Sequence, residues 1–385
     1  MTHVEGIAMK LNLLIFFGVM LAVHSFAQPP QTNSISNGIN FNSVEKASEL
    51  LDSTQLEIFN SDEESSSVDA VDDKLLKEQS SFKKEADTYK SSKARIKSNS
   101  SSRSASEAED LQLQHSVTKL KGVAQTPSEQ IEANILYYDQ GNYNADRAPQ
   151  LVEALRLNPN HPEGLNLMLA NSLVTGDTLM VLNTLTKLKA LHLIPEGMTC
   201  YAVDLIKSVP EHTTLITHGT LDTYGAIQEQ VTKRRNSIDI ISLDLLQSEQ
   251  YRALLLKKGY SIPVQSIVDV TYLGDLIRVN PSRTFAFSMT IPSDYLVQFE
   301  QDLAPNGLVF LYPNSLSNEQ ILQTNEQFMD SFSYMDCGVE LDESIAGLKQ
   351  NYLPMILTVE ALSTDRSKAK RSRIESKKIK TKQKK

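Results

Sequence analysis

The densest run of chemistry in the chain is Thr217, His218, Gly219, Thr220, Leu221, Asp222, Thr223 and Tyr224. It joins an imidazole, a carboxylate, several hydroxyls and a glycine. At the start of a helix, backbone N–H groups attract anions, so such a set can hold a polar or anionic ligand. His218 can serve as a general base, with Asp222 orienting it or binding a hydroxylated ligand. The same residues also read as plain structure. Thr220 or Asp222 can cap the helix while Gly219 makes the turn. The run lacks the further glycines of a dinucleotide fingerprint and the Gly-Lys-Ser/Thr of a phosphate loop. Downstream, Ser242, Asp244 and Tyr251 could reach the same place. The candidate binding crevice is therefore His218, Gly219, Asp222, Thr223, Ser242 and Tyr251. No cofactor or metal is expected. His161, His192 and His212 lack metal-ligand spacing, and no Gly-x-Ser-x-Gly elbow is present.

Alternating strands and helices must position this crevice. Strands are predicted over residues 213–217, 238–246, 284–291 and 308–312. Helices fill the intervals 221–235, 249–258, 266–279 and 293–303, and two more, about 318–332 and 344–362, close the unit. That alternation implies right-handed βαβ crossovers and a mostly parallel, Rossmann-like sheet. Ligands of such sheets bind beyond the carboxyl ends of the strands, where the 217–224 run falls. The expected α/β domain covers residues 210–363.

Residues 126–209 read as two tetratricopeptide-like helical hairpins packed on that sheet. Gly141 and Gly176 lie 35 residues apart, and Pro159 and Pro195 lie 36 apart. A repeat of this length fits one helical hairpin per unit. Glycines allow the tight turns, and prolines end helices. Two hairpins cannot bury their own apolar faces, so a third helix, about 198–208, and the neighbouring domain must cover them.

The ends differ in kind. Lys10 precedes a short apolar run, residues 11–23, and then Ser25, Phe26 and Ala27. This is the pattern of a cleavable signal peptide over residues 1–27. The apolar run is shorter than the roughly 20 residues a bilayer span needs. Residues 28–125 are Ser-rich and poor in large apolar side chains, and are expected to be a disordered linker. Residues 364–385 form a basic tail, also expected to be disordered. It holds eleven Lys or Arg against Asp365 and Glu375, within a chain of formal charge −9. Three uses are open for it: contact with an anionic membrane surface, with an acidic partner, or with the protein's own acidic body. No nucleic-acid partner is expected, since aromatics for stacking on bases are missing from the tail. Cys200 and Cys337 are the two cysteines, and an oxidising compartment would permit a disulfide.

The stretch from Thr213 to Tyr251 resembles the soluble C-terminal region of bacterial protein O-mannosyltransferase-like membrane proteins. The shared positions are Thr217, Gly219, Asp222, Thr223, Tyr224, Gln228, Glu229, Arg235, Leu245, Leu246 and Tyr251. The block Pro281 to Phe287 and the triplet Gly307, Leu308, Val309 are similar as well. This chain departs at His218, Thr220, Ser237 and Gln250, so one carboxylate of the family's acidic cluster is missing. The membrane-embedded part of those proteins is absent. The resemblance thus implies a stand-alone soluble accessory domain, and it does not imply transferase activity.

Together these readings describe an exported, non-enzymatic interaction or scaffold module of the bacterial cell envelope, in the periplasm, with an envelope protein or a glycan as partner. The alternative is an enzyme or sugar-binding protein acting at the crevice after the first strand.

Overall fold

The computed structural model describes residues 68–99, 101–234, 237–332 and 347–381. The signal-peptide expectation and the first part of the linker lie outside the described residues.

The chain is mixed α/β, with fourteen helices and a five-stranded sheet among the described residues. Seven helices come first: α1 Val68–Lys97, α2 Glu107–Val123, α3 Pro127–Gln140, α4 Ala148–Leu157, α5 Pro162–Thr175, α6 Thr178–Ala190 and α7 Glu196–Lys207. The first two correct the expectation of disorder for the described part of 28–125, from Val68 onward. Phe82, Ala86, Tyr89, Lys93 and Ile96 recur at spacings of four and three along α1 and are all buried. Leu113, Val117 and Leu120 repeat the spacing on α2, and Ala133 and Leu136 of α3 complete this core. Few apolar residues suffice because each sits on the seam, as in a coiled coil. Ser106 begins α2 with a reciprocal capping box to Glu109, and Thr126 does the same for α3 with Glu129. Each satisfies two otherwise orphaned backbone donors.

A buried polar group fastens α1 to α3. Asp139 accepts from the Tyr89 hydroxyl at 3.0 Å and pairs with Lys97 at 3.3 Å and Lys93 at 3.8 Å. Lys93 also donates to the Asp139 carbonyl and to Asn142 Oδ1. Burial alone would raise the Asp139 carboxyl, but the two ammonium groups and the hydroxyl hold it at about 2. Every member has a partner, which is what makes such burial tolerable. Helices α3 with α4, and α5 with α6, then pack as successive pairs. Gly141 caps α3, and Gly176, at φ 73°, caps α5 in the left-handed conformation that glycine adopts without strain.

The sheet follows, with β1 Thr213–Thr217, β2 Asp239–Ser242, β3 Thr284–Ser288, β4 Ala304–Asn306 and β5 Val309–Tyr312, in the order β2-β1-β3-β5-β4. Strand β1 is central among the first three and pairs in parallel with both β2 and β3. The remaining pairings, β3 with β5 and β5 with β4, are antiparallel. The expected mostly parallel sheet is therefore a mixed one. Only two residues join β4 to β5, and a parallel return would need a crossover of about a dozen. Gly307 makes that turn at φ 64°. A side chain there would run into Ser208 Oγ, which already accepts from Leu308 N–H. The predicted second strand also ends early, because the chain turns after Ser242 into a short 3-10 helix.

Around the sheet lie α8 Thr220–Lys233, α9 Glu249–Lys257, α10 Val270–Arg278, α11 Ser293–Leu296, α12 Asn318–Ser331, α13 Leu353–Leu362 and α14 Arg366–Thr381. The last helix corrects the expected disorder of the basic tail. Ser372, Ser376 and Ile379 turn inward on α14. Lys368 pairs with Glu326, Arg371 with Asp330 and Arg373 with Glu360. Each exposed pair is worth little alone, yet together they fix which face of α14 meets the acidic body. No helix among the described residues is long and apolar enough to cross a membrane.

Cys200, on α7, is disulfide-bonded, and the chain has one other cysteine, Cys337, outside the described residues. Thiol titration of the purified protein, denatured without reductant, is expected to find no free thiol. Two titratable thiols would contradict the bond.

Candidate functional site

Strands β1 and β3 leave the sheet at its topological switch point. From β1 the chain moves to one side to form β2, then returns to the other side to form β3. The loops after β1 and β3 therefore diverge, the arrangement that places a crevice at the carboxyl ends of such strands. The 217–224 run lies there, as its sequence position required.

Asp222 organises the first loop. Its Oδ1 accepts from Gly219 N–H at 3.0 Å and from Thr223 N–H at 2.9 Å. Its Oδ2 accepts from His218 N–H at 3.0 Å and from the Thr290 hydroxyl at 2.6 Å. Both oxygens are thus engaged, and the carboxylate sits where the N-terminus of α8 would otherwise receive a ligand's anion. Burial raises its proton affinity, although all four donors act against that rise. Thr223 bonds Thr217 Oγ1 at 2.7 Å and also donates to the Gly219 carbonyl. His218, Gly219, Asp222 and Thr223 are brought together as one bonded turn, closed from the β3 side by Thr290.

Asp222→Ala is expected to lower unfolding free energy by about 2 kcal/mol, because it strands buried backbone donors. Urea denaturation checks this, and Asp222→Asn should lose less. An unchanged midpoint in Asp222→Ala would mean that water replaces the carboxylate without cost.

The other expected residues separate. Ser242 ends β2 beside Thr217 of β1, and its buried hydroxyl has no hydrogen-bond partner. Tyr251 lies along the outer edge of β2. Its hydroxyl receives Ser242 N–H and donates to the Ile240 carbonyl, each at 3.4 Å. It thereby covers backbone groups of an edge strand that has no further strand beside it.

The decisive residue at the crevice is Arg103, from the turn between α1 and α2. Its Nε donates to Asp244 Oδ1 at 2.6 Å, with both side chains buried. Its Nη1 donates to the Lys97 carbonyl at 3.0 Å. Residues 101–104 form a strap on the segment before α10. Arg103 N–H donates to the Val268 carbonyl at 2.7 Å, and Val270 N–H donates to the Ser101 carbonyl at 3.2 Å. Ser102 and Asp269 form an antiparallel bridge between them, and the Ser104 hydroxyl accepts from Val268 N–H at 3.0 Å.

Electrostatics follow from this burial. Burial would raise the Asp244 carboxyl, but Arg103 and His218 hold it below the ordinary carboxylate range. His218 is only 8% exposed. Burial, with Arg103 nearby, pushes its imidazole down to about 3 despite the opposing pull of Asp244. It is neutral at pH 7, and its Nε2 is buried with no partner.

Sequence reasoning named Asp244 but missed Arg103 and Thr290. Thr290 follows the third strand at the switch point, so topology could have found it. Arg103 sits in a serine-rich run with no local signal, and its role depends on a contact 141 residues away. Among the described residues, no group of three or more His, Cys, Asp or Glu side chains could hold a metal ion. Compared with known proteins, the chain matches no family model, no curated protein and no solved structure.

Proposed function

We propose that this chain is an exported, non-enzymatic interaction module of the bacterial cell envelope, binding a protein or glycan partner. One observation carries the reading. The switch-point crevice is filled by the protein's own groups, with Asp222 on the N-terminus of α8 and Arg103 on Asp244. An active site needs charged or polar groups aimed at a substrate, and the charged ones here, Asp222, Asp244 and Arg103, are engaged within the fold. The disulfide at Cys200 fits an oxidising compartment such as the periplasm. The successive helical pairs from α3 to α6 fit the tetratricopeptide-like reading. The resemblance to the soluble region of O-mannosyltransferase-like proteins fits an accessory domain.

Leu179 and Leu182 lie one turn apart on α6 and are exposed, Leu179 to 69%. They give the helical array an apolar outward face that its own core does not use. The basic α14 is read as a structural arm, since three of its cations engage acidic groups of the body. Peripheral contact with an anionic membrane surface would use the rest.

The test is affinity purification from the envelope fraction with wild-type protein, Leu179→Asp/Leu182→Asp and Asp222→Asn. The module reading expects a partner that is lost with the α6 variant and retained with Asp222→Asn. A partner or activity that depends on Asp222 alone would favour an enzyme or sugar-binding protein instead.

A further inference from the structure

We infer that the switch-point crevice is a recognition site for an extended, arginine-bearing peptide, and that residues 101–104 are its resident intramolecular occupant. The inference rests on the module reading and assigns a ligand chemistry to the crevice.

Three observations carry it. The strap is held as a bound peptide would be held. Its backbone makes one isolated antiparallel bridge, outside the sheet, to the segment at Val268 to Val270, so main-chain bonds hold it as they hold an extended peptide ligand, while a side-chain contact gives specificity. Its one large side chain, Arg103, enters a pocket whose acceptor is the buried carboxylate Asp244. Its neighbours Ser101, Ser102 and Ser104 are small, so nothing else in the strap demands a particular shape.

The pocket is also incompletely used. Arg103 bonds Asp244 through Nε and Oδ1 alone, whereas a guanidinium and a carboxylate can join by two parallel bonds. Beside the pair, His218 Nε2 is buried with no partner. A ligand approaching with a different backbone register could make both contacts.

The covalent setting allows exchange. The strap is the turn of the α1–α2 hairpin, and the hairpin's own core, Phe82, Ala86, Tyr89, Leu113, Val117 and Leu120, is separate from the crevice. A partner segment can replace the strap while that hairpin stays folded. The occupant is a segment of another protein with an arginine between small residues. A lysine would offer a point charge without the planar fork.

The experiment uses the mature protein and a fluorescent synthetic peptide with the sequence of residues 98–106. A control peptide carries alanine in place of arginine. Wild-type protein should bind the peptide weakly, because the strap competes. Arg103→Lys, which keeps the charge and the fold but loosens the strap, should bind at least about tenfold tighter, since more of the population has the crevice open. Arg103→Ala should do the same where it folds, as judged by circular dichroism. Asp244→Asn should abolish binding in either background, and the control peptide should not bind. Equal binding by wild type and Arg103→Lys, or binding that survives Asp244→Asn, overturns the inference, as does no binding by any variant. Co-purification of a partner without peptide binding would leave the module reading standing and remove this one. Peptide binding without a partner lost in the α6 variant would leave this inference standing and remove the α6 face as the docking surface.

Discussion

Arg103→Ala is expected to lower the unfolding free energy by about 3–5 kcal/mol, seen as a drop in the urea midpoint at pH 7. The cost comes mainly from what is left behind. Asp244 would remain buried and ionised without its guanidinium, and an uncompensated buried charge is far more expensive than a lost surface pair. The Arg103–Asp244 side chains are 4% and 9% exposed, so screening by solvent is slight. Asp244→Asn should cost a comparable amount, because it leaves the Arg103 guanidinium buried without its counter-charge. The double variant Arg103→Met/Asp244→Leu should recover most of the loss, since a buried ion pair can be exchanged for apolar packing at little net cost. A drop below about 1 kcal/mol in Arg103→Ala would mean that the pair behaves as an exposed one. The strap would then be too weakly held to close the crevice.

The contrast between Arg103 and Asp222 shows what the amino-acid order could and could not reveal. The turn at 217–224 was legible because its determinants are local. A strand of β-branched residues, a glycine and a carboxylate three positions on dictate a turn and a capped helix start within a few residues. The strand at 213–217 was readable for the same reason, as were those expected at 284–291 and 308–312, which the structure shortens to 284–288 and 309–312. β4 was not, since Ala304, Pro305 and Asn306 have no strand propensity and pair only because Gly307 folds them back on β5. The largest misreading fell on α1 and α2. Composition argued for disorder there, and composition ignores spacing. The positions 82, 86, 89, 93 and 96 form a seam whose helical period outweighs the surrounding Ser, Lys and Asp. The Ser106–Glu109 capping box was a second local sign. The basic tail was misjudged similarly. Its charge said that it could not build a core, but Ser372, Ser376 and Ile379 give it one narrow face to lay on a core built by others. Arg103 stands apart from these cases, since nothing near it in the chain announces a partner in the other half of the molecule.

His218 gives a prediction of comparable size that depends on pH. Its imidazole is held at about 3 in the fold, against 6.5 in an unfolded chain. Between those values the unfolded state carries a proton on this residue that the folded state lacks. Stability therefore rises with pH across the interval and is lost as pH falls from 6.5 toward 3. Each tenfold difference in proton affinity is about 1.4 kcal/mol, so the interval can remove a few kcal/mol. The groups acting on the ring are Arg103, which disfavours the imidazolium, and Asp244, which favours it. His161 is depressed too and adds a slope of the same sign, whereas Asp139, held at about 2 against 3.8 unfolded, adds its slope at lower pH, as free carboxylates titrate. Above about pH 5 free carboxylates are largely ionised, so the slope there is the histidines' less an opposing one from the carboxyls of Asp222, Glu163 and Glu229, which burial raises. In His218→Leu the fall in urea midpoint between about pH 6.5 and 5 should be clearly shallower than in wild type, with a remainder owed to His161. Arg103→Lys should leave the direction unchanged, since it keeps the positive charge beside the ring. Identical slopes in wild type and His218→Leu would show that the imidazole is already hydrated in the fold, and the crevice would then be open to water rather than sealed by its strap.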